Sequence, residues 1–372
     1  MLLNKFLNES SLIGDNDYEV EMTNEGFRFE DGGISRIISL SESAMSEINM
    51  RCQLAEVEAG KKVIAGATLS EAYMLQENVI SSAIGGIKKI IMKIWARMKE
   101  VCEAVRMEFN KLFNTSAFLK DAKRILEKIN DFKDLEFEGY DFTVDALDAN
   151  SVYIASEKAV IKAYNAAESA LNGVKAGEDT EATRKSVEAH KDVIDALKGD
   201  ELKKKMTEAA FGCSPEDLNK TIFKKLRNGK DTEEKLSWDK NKCIKAIEEL
   251  TSLQNKVKGV ADSVNNAHKK ALNGVDESIK KAEKANGEAK STESGITSAK
   301  LQILKDKATG LKSALDLSNI ATNAKLAVLK TEAAQSKKFI SAAIRQGRKN
   351  ERTNKVSESV DIFNLDNIAD QY

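Results

Sequence analysis

The stretch "IGGIKKIIMKIWARMKEV", residues 84–101, decides how the rest of this chain is read. It is apolar enough for a membrane and cationic enough for a surface. Around it, Ile80, Ile84, Ile87, Ile91, Ile94, Met98, Val101 and Val105 follow one another in alternating steps of four and three. That spacing is a heptad seam and predicts a helix from about residue 78 to 112. Ala83, Ile90, Trp95 and Cys102 widen the stripe, and Lys88, Lys89, Lys93, Arg97 and Lys99 fill the other faces. Three readings compete. A core helix of a bundle is the leading expectation, because apolar stripes on helices bury against protein. A membrane-surface element over residues 79–105 would use Ile84, Ile87, Ile91, Ile94, Trp95 and Met98 on one side and lysines on the other. A non-specific DNA contact would use the basic face, Lys88, Lys89, Lys93 and Arg97.

Moving outward, the 372 residues hold a single proline, Pro215, and only 6% aromatics, while Ala, Lys, Glu and Leu run on for long stretches. Proline interrupts helices and those four residues favour them, so the composition predicts an all-α chain. Within residues 240–348, Val257, Val260, Val264, Ala267 and Ala271 keep helical 3/4 spacing, as do Leu301, Leu304, Ala308, Leu311 and Leu315. Ser39 and Glu42 read as a capping box, and Ser214-Pro215-Glu216-Asp217 as a helix start. Residues 15–36, acidic and glycine-containing, are read as a short strand pair or an irregular arm. Residues 131–150 carry Phe137, Tyr140, Phe142 and Val144 around Gly139 and are the candidate for a hairpin-like, non-helical insert. The expected architecture is an elongated helical bundle with long Ala/Lys-rich helices and that small aromatic insert.

Charge divides the chain. Residues 1–77 carry 14 acidic and 6 basic side chains, and residues 78–372 carry 45 and 52. An acidic head on a basic body suggests four segments. They are an acidic leader at 1–77, the strip helix, a second helix and the insert at 78–150, an Ala/Lys-rich bundle at 151–348, and an acidic tail at 349–372. No cationic, apolar leader of the secretory kind is read at the N-terminus, and no uncharged run reaches the ~18 residues of a membrane span.

Catalytic chemistry is not evident. The motifs of nucleotide-binding loops and metalloproteases do not occur. His190 and His268 are expected to be solvated or capping residues. The four cysteines, Cys52, Cys102, Cys213 and Cys243, are scattered, which fits neither a disulfide framework nor a zinc site and suggests a reducing compartment. No catalytic, cofactor-binding or metal-binding residues are assigned, and no cofactor is expected.

One further pattern precedes the strip. Of eight leucines in residues 1–77, five are followed two places on by glutamate, at Leu7, Leu40, Leu54, Leu69 and Leu75; among 22 later leucines none is. Three features in order then resemble a known family. They are the acidic helical leader ending in "EAYMLQEN", the strip "IIMKIWARMKE" running into "FNKLFNTSAFLKDAKRIL", and the aromatic "FEGYDFT". Over residues 40–145 the chain resembles the helical virion structural proteins of large tailed bacteriophages. The resemblance implies a non-enzymatic, internal head or core component, assembled in the bacterial cytoplasm and located in the virion. Its partners would be other virion proteins, phage DNA bound non-specifically and a second copy of itself. A host membrane is the partner under the alternative reading, a membrane-active protein. Head-maturation proteases of some such phages cut after Leu-x-Glu, so Leu75, Glu77 and Asn78 form the candidate processing site. Cleavage after Glu77 would remove the leader as a propeptide and make the strip the new N-terminal helix.

Overall fold

Side chains that repeat every three or four residues gain most when the backbone coils, and the chain obeys this almost throughout. A computed structural model describes residues 21–23, 26–28, 32–65, 69–112, 116–174, 185, 187–288 and 294–369. After a short antiparallel pair, β1 (Glu21–Thr23) and β2 (Gly26–Arg28), come α1 (Gly32–Ile64), α2 (Leu69–Leu112) and α3 (Ser116–Glu127). Strand β3 (Leu135–Gly139) and a 3-10 turn (Val144–Ala146) lead to α4 (Ala149–Asn172), α5 (Lys191–Asp195), α6 (Gly199–Phe211) and α7 (Leu218–Leu226). Strand β4 (Glu234–Trp238) precedes two long helices, α8 (Lys240–Glu288) and α9 (Ser294–Ala369). The described residues are therefore overwhelmingly helical, with two small two-stranded sheets.

The chain divides into two compact units that do not follow the four linear segments. Unit 1 holds residues 1–101, 147–223 and 260–324; unit 2 holds 102–146, 224–259 and 325–372. The proposed boundary at 77/78 falls inside α2, that at 150/151 falls two residues into α4, and that at 348/349 falls inside α9. Helix α2 begins at Leu69, nine residues before the expected start. The capping box at Ser39 also fails, because α1 already runs from Gly32. Ser214 to Asp217 form a side-chain-bonded turn, Ser214 Oγ to Asp217 Oδ2 3.1 Å, and the helix begins one residue later.

In unit 1, α9 is the central element, with Leu301, Leu304, Ala308, Leu311 and Leu315 all buried. Helix α8 contributes Val260, Val264, Ala267 and Ala271, also buried. Asp148 caps α4, accepting from Ser151 N at 2.8 Å. Ser263 of α8 accepts from Asn150 N at 2.9 Å, and Ser318 of α9 donates to Ala149 O at 2.7 Å. The first turn of α4 is thus fixed to both long helices by hydrogen bonds rather than by apolar contact alone. Gly310 lets α9 approach α4, since a Cβ there would lie 2.9 Å from Val160 Cγ1.

In unit 2, the aromatic insert does form a strand, but its partner lies about a hundred residues on. β3 pairs antiparallel with β4, Leu135 opposite Trp238 and Gly139 opposite Glu234. Phe339 of α9 fills the space over this ribbon, stacked on Trp238 at 4.0 Å and edge-on to Phe137 at 4.8 Å. The end of β3 has no third strand to bond, and α9 supplies one glutamine in its place. Gln335 Oε1 accepts from Tyr140 N (3.1 Å) and its Nε2 donates to Tyr140 O (2.9 Å). Gly139 is required there, because a Cβ would sit 2.3 Å from Gln335 Oε1. Replacing Gln335 by Ala strands both Tyr140 groups, at a cost of about 1–3 kcal/mol. The expected outcome is a lower urea midpoint for Gln335→Ala than for Lys337→Ala, an exposed control on the same helix.

Candidate functional site

The strip is closed. Ile84, Ile87 and Ile91 are fully buried, Ile94 is 4% and Met98 1% exposed, and Ile80, Val101 and Val105 are buried with them. Ile48 of α1 lies against α2 at Gly86, where a Cβ would be 3.2 Å from Ile48 Cδ1. Trp95 is half-buried, its ring stacked on His268 of α8 at 6.5 Å and covered by the Lys99 ammonium at 3.8 Å. His268 is the clearest departure from expectation: it is not solvated but completely buried. Its ring nitrogen Nε2 lies 3.2 Å from Asn319 Oδ1 of α9. Burial, reinforced by repulsion from Lys99, pushes its pKa down to about 4, so the ring is neutral at physiological pH. His190 occupies the N-cap position of α5 without making a side-chain cap bond.

The basic face is partly spent within the fold. Lys88 pairs with Asp276 of α8 at 2.6 Å, and Arg97 pairs with Glu100 one turn on. Lys88 and Arg97 are thus engaged in ion pairs within the fold, while Lys89 and Lys93 are exposed.

The candidate processing site is placed where a protease meets it worst. Leu75, Glu77 and Asn78 lie inside α2, two turns from its start, and Glu77 is 6% exposed. Its Oε1 is buried without a hydrogen-bond partner. Proteases bind extended substrate, so cutting here requires the first turns of α2 to open. Within the described part of the leader, Met45, Ile48, Cys52, Ala55 and Ala59 of α1 belong to the buried core of unit 1.

A cleft of about 1000 Å3 lies between α1, the α5–α6 junction and α9 in unit 1. Its charges compensate one another. Lys198 reaches Asp195 at 3.2 Å and Asp306 at 3.5 Å, Gln302 donates to Asp306 at 2.9 Å, and Lys312 pairs with Asp316 at 2.6 Å. Burial pushes the Asp306 and Asp316 carboxyls up, against the pull of their lysines. Neither sign dominates the cleft, so it favours neither an anion nor a cation. Among the described residues no group of three or more His, Cys, Asp or Glu could hold a metal. No described helix is long and apolar enough to cross a membrane. Comparison with family models, curated proteins and solved structures finds no match.

Nothing in the sequence pointed to the Trp95–His268–Asn319 contact, because a lone histidine among lysines and alanines carries no periodic signal. The burial of Glu77 was legible in principle: it sits three residues before Ile80 on the same face as the seam.

Two expectations follow. A glutamate-specific protease leaves the 77–78 bond intact in the native protein and cuts it in urea; native cleavage there would contradict the placement of Glu77. Burial also raises the Glu77 pKa to about 7 from 4.5. Between those values the folded state holds a proton that the unfolded chain has lost, so this contribution to stability is full below pH 4.5 and disappears as pH rises through 7. Glu77→Gln therefore raises stability by about 1–2 kcal/mol at pH 8 and leaves it nearly unchanged at pH 4.5. His268 contributes a slope of opposite sign between about pH 6.5 and 4, which cancels in the difference between variant and wild type.

Proposed function

We propose that this chain is a non-enzymatic structural protein of a phage particle, an internal head or core component whose helices scaffold neighbouring proteins and contact packaged DNA without sequence preference. The sequence resemblance over residues 40–145 suggests the class. The observation that supports a scaffold over a membrane-inserting role is the buried seam of α2. Fully burying one such side chain is worth roughly 1.5–3 kcal/mol, so exposing eight of them to water would cost roughly 12–24 kcal/mol, comparable to or above a typical domain's whole stability. Membrane insertion of residues 79–105 would therefore require the fold to be dismantled first.

Processing after Glu77 fits this proposal in one form only, cleavage before α2 has packed or during its transient opening. The processed protein would then either lose residues 1–77 or keep them bound as a nicked fragment, whereas an uncut chain would mean that processing does not occur. Intact mass of the protein purified with native particles tests the reading. Its presence in particles with a stoichiometric copy number supports it; its absence from purified particles overturns it.

DNA contact makes a separate demand on Lys89 and Lys93. The double variant Lys89→Glu/Lys93→Glu should weaken binding to any duplex alike and flatten the slope of log K against log salt by about 2. An unchanged slope would remove the strip from the DNA-binding surface. Leakage of anionic liposomes by the intact, folded chain would favour the membrane-active alternative.

A further inference from the structure

Two clefts open in unit 1, and their charges differ. The larger, described above, is lined by four acids and four lysines. A smaller one, of about 330 Å3, lies between the end of α4, α8 and the start of α9. Leu171, Ile303 and Leu304, all buried, give it an apolar floor. Its charged lining is Lys281 and Lys284 of α8, Lys300 of α9 and Glu168 of α4.

The acid is already engaged. Glu168 accepts from Tyr164 Oη at 2.6 Å and from Lys281 Nζ at 3.2 Å, and Lys281 also donates to Tyr164 Oη at 3.1 Å. Glu168 is the only acid among the described lining residues, so three lysines against one glutamate leave two positive charges in excess. A further cation lies behind Tyr164, where the buried Lys307 ammonium is 4.7 Å from the ring centre. Its partner Glu277, 3.8 Å away, is 69% exposed, so solvent weakens its hold. Charge of one sign over a low-dielectric floor focuses the field on a counter-ion, here an anion. Asn172, the last residue of α4, adds a neutral amide donor to the lining. Lysine ammoniums recognise phosphate as point charges. A phosphate monoester carries nearly two negative charges at neutral pH, which matches the excess, whereas each backbone phosphate of DNA carries one.

We propose that this cleft binds a phosphate monoester through Lys284 and Lys300, beside a Lys281 held in place by Glu168 and Tyr164. The group belongs either to a small organic ester or to the terminal phosphate of a nucleic-acid strand. The inference does not rest on the phage reading, and it is separate from the DNA contact proposed for Lys89 and Lys93.

Calorimetric titration of the full-length chain with inorganic phosphate at low salt tests it. Phosphate should saturate a single site, and Lys284→Ala and Lys300→Ala should each weaken it about tenfold. Glu168→Gln removes the opposing charge but keeps an acceptor for Tyr164, and should tighten binding about threefold. The double variant Lys158→Ala/Lys162→Ala, on exposed lysines of α4 outside the cleft, should leave it unchanged. A pair of oligonucleotides, one ending in a phosphate and one in a hydroxyl, separates the two sources. Tighter binding of the phosphorylated strand, lost in Lys300→Ala, places the ester on a nucleic-acid end; equal binding of the two assigns the cleft to a small ester. The proposal is overturned if phosphate fails to saturate up to about 10 millimolar, or if the α4 control weakens binding as much as Lys284→Ala and Lys300→Ala do.

Discussion

Everything in unit 1 depends on the burial of one face of α2. Isoleucine at five of the eight seam positions and valine at two more give the helix a stiff, β-branched surface that is stabilised against neighbours of matching spacing. α1 provides it on one side, through Ile48, and α8 on another, where His268 lies under Trp95. The lysines that make the strip look membrane-seeking then have ordinary tasks. Lys88 anchors α8 through Asp276, Lys99 lies over the indole of Trp95, and Lys89 and Lys93 keep the outer face soluble. In this fold the cationic residues of an apolar helix mark a boundary between core and water.

The interior that results is unusually polar. α9 buries Lys305, Asp306, Lys307, Lys312, Asn319 and Asn323 along with its leucines and alanines. Small seam residues draw helices close and bury little area, so hydrogen bonds and ion pairs take a larger share of the specificity. Asn319 holds His268, Ser318 holds the start of α4, and Lys312 holds Asp316. Such pairs fix which helix faces which more than they add to net stability. In unit 2 the same principle acts through glutamine: Gln335 completes the hydrogen bonding of Tyr140 and Gln346 that of Lys133.

Much of this was legible in the sequence, and the failures have physical reasons. The seams of α2, α8 and α9 could be read because period 3.5 is a local property, and every residue named for them is buried. The strand at Phe137 was visible from its aromatic and β-branched neighbours. Its partner at Leu236 was not, because a pairing across a hundred residues leaves no mark in either segment. The start of α2 was placed too late because the heptad seam read from the sequence begins only at Ile80, whereas the helix runs from Leu69. A helix propagates through a buried acid when its neighbours on the same face are apolar. The buried lysines of α9 were harder to read, since a lysine enters a core only when its surroundings supply a carboxylate: Asp316 stands four residues from Lys312, but Glu277, which Lys307 reaches, lies on α8. Of the candidate site, the strip isoleucines and Met98 are gathered on one buried face, Lys88 and Arg97 are drawn into ion pairs of the fold, and Glu77 of the processing triplet is buried.

The measurement that bears most directly on this account is amide hydrogen exchange across residues 84–98, in the free protein and with anionic vesicles. If the seam of α2 is the permanent core, these amides exchange only through global unfolding and are equally slow with vesicles present. Rapid exchange in the free protein, or loss of protection on adding vesicles, would mean that the strip leaves its neighbours, and the core assignment would fall.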